Sequence, residues 1–505
     1  MEPTPGGGSL HTRSAGPRSG PLGPATPARL ADPADPASAS THLDPREARP
    51  DQRRPRPSTY DAPPATPTPA GGDAQAPWPL RRNRPYWLFW TGETISVFGT
   101  EVTSLLISLL AVVVLDASPV WVGIINAALW LPWVLIGLPT GAWVDQRAPR
   151  SVMVASDLAA AAALLSIPIT WSLDMLTTLQ LAVVTFAVGT TNVFFRSAYP
   201  KLLATLVRRE DLPPANSYLT GSESVAQVGG PSIGGALAGL FAPAVAVLVD
   251  AASYVVSAAC LLFINEREKD RVAPPPTTVS LRERIATGWR FTFADRYLRY
   301  FTIQGALSNT GLTGFQALLV LVLVRELGLS GPQVGLAIAV QGVGSLIGAM
   351  IAPSVGRRFG SAHGTVFLFC GVGVGALLLP WGAPGWRSGV MLAGMFLIGV
   401  GVVCANVLRG AWRQSYVPLS LMARTSTATQ TVNYSLMPIA AVLAGWLAQE
   451  FGLIPAVGVM AAIVAFVSFT VLVSPLRGLR DMPGSPSEAA LSAANVPPPA
   501  WQDMR

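Results

Sequence analysis

Residues 453–474 read LIPAVGVMAAIVAFVSFTVLVS, twenty-two residues without one charged side chain. A helix needs roughly 20 mainly apolar residues to cross the hydrocarbon core of a bilayer, where every backbone polar group must be satisfied internally. The stretch therefore reads as a transmembrane helix. Working back along the chain, similar runs occupy 427–448, 387–408, 364–381, 332–353 and 298–323, and an earlier set occupies 244–264, 216–240, 175–195, 152–173, 120–143 and 86–114. A soluble domain has no need of so many continuous apolar runs of this length. The expectation is an all-α membrane protein with twelve transmembrane helices in two pseudo-symmetric six-helix bundles.

The charges agree with alternating loops. With the N-terminus inside, Arg81, Arg82, Arg84, Arg147, Arg150, Arg196, Lys201, Arg208 and Arg209 fall on the cytoplasmic side, as do Arg357, Arg358, Arg409, Arg413, Arg424, Arg477 and Arg480. Only Arg325 and Arg387 fall in the expected external loops. Basic residues are retained preferentially on the cytoplasmic side, so both termini are expected there. The formal net charge of +7 is spread over helix ends and makes no contiguous basic stripe, which gives no reason to expect a nucleic-acid partner.

The organisation reads as a Pro/Ala/Gly-rich disordered tail over 1–80, a first bundle over 81–264, a central cytoplasmic loop over 265–297, a second bundle over 298–476 and a disordered tail over 477–505. No signal-peptide apolar run precedes residue 80, so the first helix is expected to direct insertion. Within the central loop, Leu281, Ile285, Trp289, Phe291 and Phe293 lie among charges; they suit either an interfacial helix or a plain tether. Asn192 and Asn406, Arg196 and Arg409, and Gly235 and Gly445 are paired at an offset of about 210–214, as a duplication would leave them.

Ionisable residues inside apolar helices are costly unless they face water or a partner. Glu93 and Glu101 in the first helix, Asp157 in the third, Arg196 in the fourth and Glu223 in the fifth are thus the candidates for transport or proton coupling. Gln304, Asn309, Gln341 and Asn433 can line a cavity in the second half. In the fifth helix Gly230, Gly234 and Gly235 permit close helix approach and Pro231 favours a kink. Gly141, Asp145, Arg147 and Arg150 follow the second helix and suit a cytoplasmic gate of ion pairs or carbonyl contacts. Trp130, Trp133, Phe194, Phe315 and Trp412 supply apolar area without defining a site.

Metal, redox and ATP chemistry find no pattern here. His11, His42 and His363 form no ligand pair, and Cys260, Cys370 and Cys404 are far apart in apolar spans. Lys201 and Lys269 sit in no phosphate loop. No cofactor and no metal is expected, and the chain does not read as an enzyme.

The stretch Gly141 to Arg150 resembles the loop signature of the major facilitator superfamily, with Gln146 in a usually basic place and Ala148 and Pro149 in polar ones. A second-half echo from Gly348 to Arg357 and Arg358 carries Ala352 where an acid would stand. Finer patches resemble the bacterial enterobactin-exporter and macrolide-efflux branch. They are Gly92, Ser96, Gly99 and Thr100; Ser118, Pro119 and Gly123; Phe194 to Pro200, Arg208 to Leu212, Ala215 and Asn216, and Gly230 to Gly235; and Arg413, Gln414, Pro418, Arg424 and Asn433. That resemblance implies a monomeric multi-pass protein of the bacterial inner or plasma membrane. It also implies export of a hydrophobic or amphipathic small molecule (a drug, secondary metabolite or siderophore-like compound) by proton antiport, with substrate, protons and membrane lipids as its partners. A proton-coupled importer is the alternative, and a channel or non-transporting receptor a more distant one.

Overall fold

The computed structural model describes residues 79–144, 146–264 and 281–494. Every described residue belongs to one compact unit, Asp73–Arg505. The helix α1, Arg84–Leu109, begins where the Asn83 side chain accepts from the Tyr86 amide and ends in a π-helical turn, Leu110–Val114. It is followed by α2 (Pro119–Val144), α3 (Pro149–Ser172), α4 (Thr178–Leu206), α5 (Leu212–Leu240) and α6 (Leu248–Leu262, with a helical turn Pro243–Ala246 before it). A short helix, α7 (Leu281–Ala294), leads to α8 (Arg296–Leu321), which the Asp295 carboxylate caps and which also ends in a π-helical turn, Val322–Glu326. Then come α9 (Gly331–Phe359), α10 (Ser361–Leu378), α11 (Trp386–Tyr416), α12 (Leu419–Ser435), α13 (Met437–Phe451), α14 (Leu453–Phe469) and α15 (Glu488–Ala493).

The first three long helices and their later counterparts begin at 84 and 296, 119 and 331, and 149 and 361, a constant offset of 212. The π-helical turns at 110 and 322 keep the same offset.

Among the described residues eleven segments are long and apolar enough to cross a membrane. The helix α5 is as long as α4 but is not one of them, because its first half carries Asn216, Ser217, Thr220, Ser222, Glu223 and Ser224, with Gln227 just beyond. Several boundaries differ from the sequence reading. The span expected at 332–353 runs on to Phe359, and that at 387–408 runs to Tyr416, since a helix need not stop where the lipid does. The span expected at 427–448 lies within one crossing segment, Arg424–Phe451, whose helix is interrupted at Leu436, two residues before Pro438, whose ring nitrogen has no hydrogen to donate.

Within the earlier helices α1 packs on α5 and α6, α3 on α4 and α6, and α2 on α4. Among the later ones α8 packs on α13 and α14, α10 on α11 and α14, and α9 on α11. The two sets meet along α5 with α9 and α2 with α13. Side chains such as Leu135 (58% exposed), Phe367 (71%) and Phe466 (73%) face outward, a surface too apolar for water and suited to lipid.

One end of the later set is closed by segments read as loop and tail. The aromatic ring of Phe291 on α7 is fully buried, in a cluster with Trp412, Leu421, Met482 and Leu491. Trp289 and Phe293 stack on each other at 5.2 Å. Residues 477–494, expected as part of a disordered tail, are packed instead. Asp481 accepts from the Ser361 amide at 2.8 Å, the Met482 amide donates to Ser361 Oγ at 2.9 Å, and Trp412 Nε1 donates to the Pro483 carbonyl at 2.8 Å. A polar composition concealed three apolar anchors, Met482, Ala490 and Leu491, and a backbone used for docking. The expected tail over 1–80 lies outside the described residues up to 78, as do 265–280 of the central loop and 495–505.

Candidate functional site

The earlier helices enclose a cavity whose wall includes Glu93, Glu101, Asp157, Asn192, Arg196 and Tyr254. Arg196 Nη1 donates to Glu223 Oε1 at 2.8 Å, joining α4 to α5. Glu93 is buried close enough to interact electrostatically with both. Asp157 is buried on α3 beside the Ser257 hydroxyl, with neither carboxylate oxygen in a hydrogen bond of ordinary length. Of the five charged side chains singled out from sequence as transport candidates, four thus line one space, and the fifth, Glu223, is tied to it through Arg196.

Two residues of this region escaped the sequence reading. Asp250, fully buried, accepts from Ser253 Oγ at 2.9 Å through Oδ1, and lies beside the Thr103 hydroxyl, with Oδ2 in no hydrogen bond of ordinary length. Tyr254, on the cavity wall, shares a hydrogen bond of 3.1 Å with Thr100. The available signal was that Asp250 is the sole charged residue in Pro243–Leu262. Gly99 makes the placement of Asp250 possible: a β-carbon there would fall 2.3 Å from Asp250 Oδ1 and 2.2 Å from Ser253 Oγ.

Glu101 is half-buried and makes no hydrogen bond or ion pair with a described residue. It emerges where α1 and α5 touch, for a β-carbon on Gly230 would lie 2.4 Å from Glu101 Cβ. The glycines of α5 serve two neighbours. Gly230 and Gly234 admit α1, whereas Gly235 faces α9, where a β-carbon would stand 2.7 Å from the Gly331 carbonyl oxygen. The Pro231 carbonyl meets Gly335 of α9 on the same side.

The cavity candidates of the second half do not gather at one place. Gln304 is buried and accepts from Arg409 Nη1 at 3.1 Å, and Asn433 lies next to Gly305 with Oδ1 buried and unpartnered. Gln341 belongs to the α9–α11 contact, its carbonyl accepting from Ser345 Oγ at 3.1 Å, and Asn309 is half-buried on α8. Trp130 and Trp133 flank Tyr434 of α12 at 5.7 and 5.3 Å.

At the α2–α3 turn Asp145 lies outside the described residues. Gly141 adjoins open space. Arg147 lies over the Trp143 ring at 4.1 Å, and Arg150 donates to the Leu262 carbonyl at the end of α6, a cation on helix-terminal oxygens. The three cysteines are free thiols.

The sequence model of the Major Facilitator Superfamily matches residues 89–441. The chain is 24% identical over 355 residues to the uncharacterized MFS-type transporter YfiS of Bacillus subtilis (strain 168), covering 68% of this chain and 78% of that protein. It is 22% identical over 333 residues to YvqJ of the same organism, covering 65% and 77%. Neither is named for the enterobactin-exporter or macrolide-efflux branch. In three dimensions it resembles the nucleoside transporter NupG (TM-score 0.61, 12% identity, 77% of this chain and 98% of that one). It also resembles an inward-facing bacterial homologue of the iron transporter ferroportin (0.59, 18%, 78% and 99%) and a POT family transporter in complex with 5-aminolevulinic acid (0.63, 12%, 80% and 98%). The chain belongs to the Major Facilitator Superfamily: it is a multi-pass, secondary-active membrane transporter of small molecules and not an enzyme.

Proposed function

We propose that this superfamily member couples small-molecule transport to protons by alternating access, with twelve spans in two six-helix bundles and both termini in the cytoplasm. The observation that carries the coupling is the composition of the cavity region. Glu93, Glu101 and Asp157 line one cavity with a single arginine, Arg196, which pairs with Glu223, and Asp250 is buried within the same set of helices. This is an excess of acid over base that a proton, a cation or water has to balance inside a membrane. The constant 212-residue offset supports two repeats. The close glycine contacts sit at the Gly331 and Pro119 ends of their helices, and with the arginine pattern placing those ends on the outer side they support an outward-closed state.

Uptake is the first reading of direction, and a nucleoside transporter and a POT family transporter in complex with 5-aminolevulinic acid, which share the fold, suggest the small polar molecules to try first. Export is the second, and the Gly230–Pro231 resemblance to exporters supports it. Proteoliposomes supplied from outside with nucleosides, small amino acids and amphipathic drugs in turn, under opposite pH gradients, test both. Accumulation driven by an acidic outside is the expected result for uptake. Saturable flux that ignores the pH gradient removes proton coupling.

A further inference from the structure

Arg409 lies seven residues before the end of α11, about 10 Å along the helix at 1.5 Å per residue. Its Nη1 donates to Gln304 Oε1 at 3.1 Å and its Nη2 to Asn406 Oδ1, while its Cζ lies 4.9 Å from the ring centre of Phe369 and 5.5 Å from that of Phe301. Both hydrogen-bond partners are neutral. A guanidinium has five N–H groups, so three are left over. No carboxylate among the described residues lies within 4.0 Å of it. Arg196, its counterpart in the sequence repeat, has Glu223 at 2.8 Å. One half of the molecule therefore carries its own counter-ion and the other, among the described residues, does not.

Donors are in surplus around Arg409. Gln304 is 3% exposed and its Nε2 has no hydrogen-bond partner. Turning that amide round would aim its NH2 at the guanidinium, so the contact with Arg409 fixes Nε2 as the free donor. Arg413, one turn further on, lies near enough to repel Arg409 and has a buried, unpartnered Nε. Beside Arg409 on α11, a β-carbon on Gly410 would meet nothing within 4 Å, and Asn406, which accepts from Arg409, is exposed.

We propose that Arg409 and Gln304 form a binding site for an oxyanion, in the first place a carboxylate, borne by the transported molecule. The assignment to substrate rests on the transporter reading above. A planar carboxylate matches the guanidinium fork, supplies the missing negative charge between two arginines and takes the spare amide donor. The rings of Phe301 and Phe369 and the bonds to Gln304 and Asn406 already restrain the guanidinium, so little of its ordering is left to the binding step.

The test is equilibrium binding to the full-length protein in phosphatidylcholine nanodiscs, with benzoate and inorganic phosphate as probes and choline as a cation control, read by calorimetry. Saturable benzoate binding is expected, weakened about tenfold or more by Arg409→Gln, as loss of a buried charge-assisted pair does. Gln304→Glu covers the case in which Arg409→Gln fails to fold, because it places a carboxylate beside Arg409. It should abolish benzoate binding while leaving the melting temperature equal or higher. The site is overturned when the wild type takes neither anion saturably, or when both variants bind benzoate as the wild type does. Displacement of benzoate by a small fraction of phosphatidylglycerol in the disc assigns the oxyanion to lipid and overturns the substrate claim. Benzoate binding through Arg409 without proton-driven flux keeps this site and removes the coupling; flux without anion binding does the reverse.

Discussion

A β-carbon placed on Gly235 would lie 3.0 Å from the Cα of Gly335, and one placed on Gly335 would lie 3.0 Å from the Cα of Gly235. Backbone meets backbone at this point of the α5–α9 seam, where earlier and later helices join. Membrane helices pack by such contacts because lipid offers no hydrophobic drive to bring them together.

Gly335→Leu should therefore impair exchange between inward and outward states more than it impairs insertion. Its β-carbon would stand 2.2 Å from the Pro231 carbonyl oxygen, a clash with backbone that no side-chain rotation relieves. Overpacking of this kind costs about 1–3 kcal/mol. Membrane abundance close to wild type with flux down about tenfold is expected, since about 1.4 kcal/mol is tenfold; normal flux at normal abundance would refute the close-packing role.

The Arg196–Glu223 pair is testable by a double-mutant cycle on Arg196→Gln and Glu223→Gln. The side chains are 38% and 31% exposed, so solvent screens the pair and a coupling of about 0.2–1 kcal/mol in stability is expected. The transport readout should be larger, because Glu93 is buried within reach of Arg196. An unchanged ratio of protons to substrate in both single variants would remove the pair from coupling.

For Glu101, which has no partner among the described residues, Glu101→Gln keeps size and removes the titratable charge. Proton coupling predicts intact abundance and substrate binding with loss of pH-gradient-driven flux; recognition of a cation predicts weaker affinity for cationic substrates alone. Measuring both fluxes in the same proteoliposomes decides between them. No change in either takes Glu101 out of both roles.

Deleting residues 481–505 should lower the melting temperature by several degrees. The deletion removes buried Met482 and Leu491, each worth about 1.5–3 kcal/mol of burial, and the bonds to Ser361 and Trp412. A melting curve identical to that of the full chain would show the segment to be dispensable for stability.

The twenty-two uncharged residues at 453–474 already settled a membrane protein, because a lipid span needs only length and apolarity, and both are local. The same reasoning reached Glu93, Glu101, Asp157, Arg196 and Glu223, since a charge inside an apolar helix stands out without knowledge of its neighbours. It passed over Asp250, whose place against Gly99 depends on how α6 meets α1. It read 477–494 as tail, because docking through Asp481, Met482 and Pro483 uses partners more than seventy residues away. It placed a span at 216–240, although the polar first half of α5 keeps that helix out of the eleven segments apolar enough to cross, and it could not tell that α5 joins α1 on one side and α9 on the other. Arg409 looked from sequence like one more basic residue of the inner side. Only the fold leaves it beside Gln304 with no described acid in reach, because the presence or absence of a counter-ion is decided by which helices become neighbours.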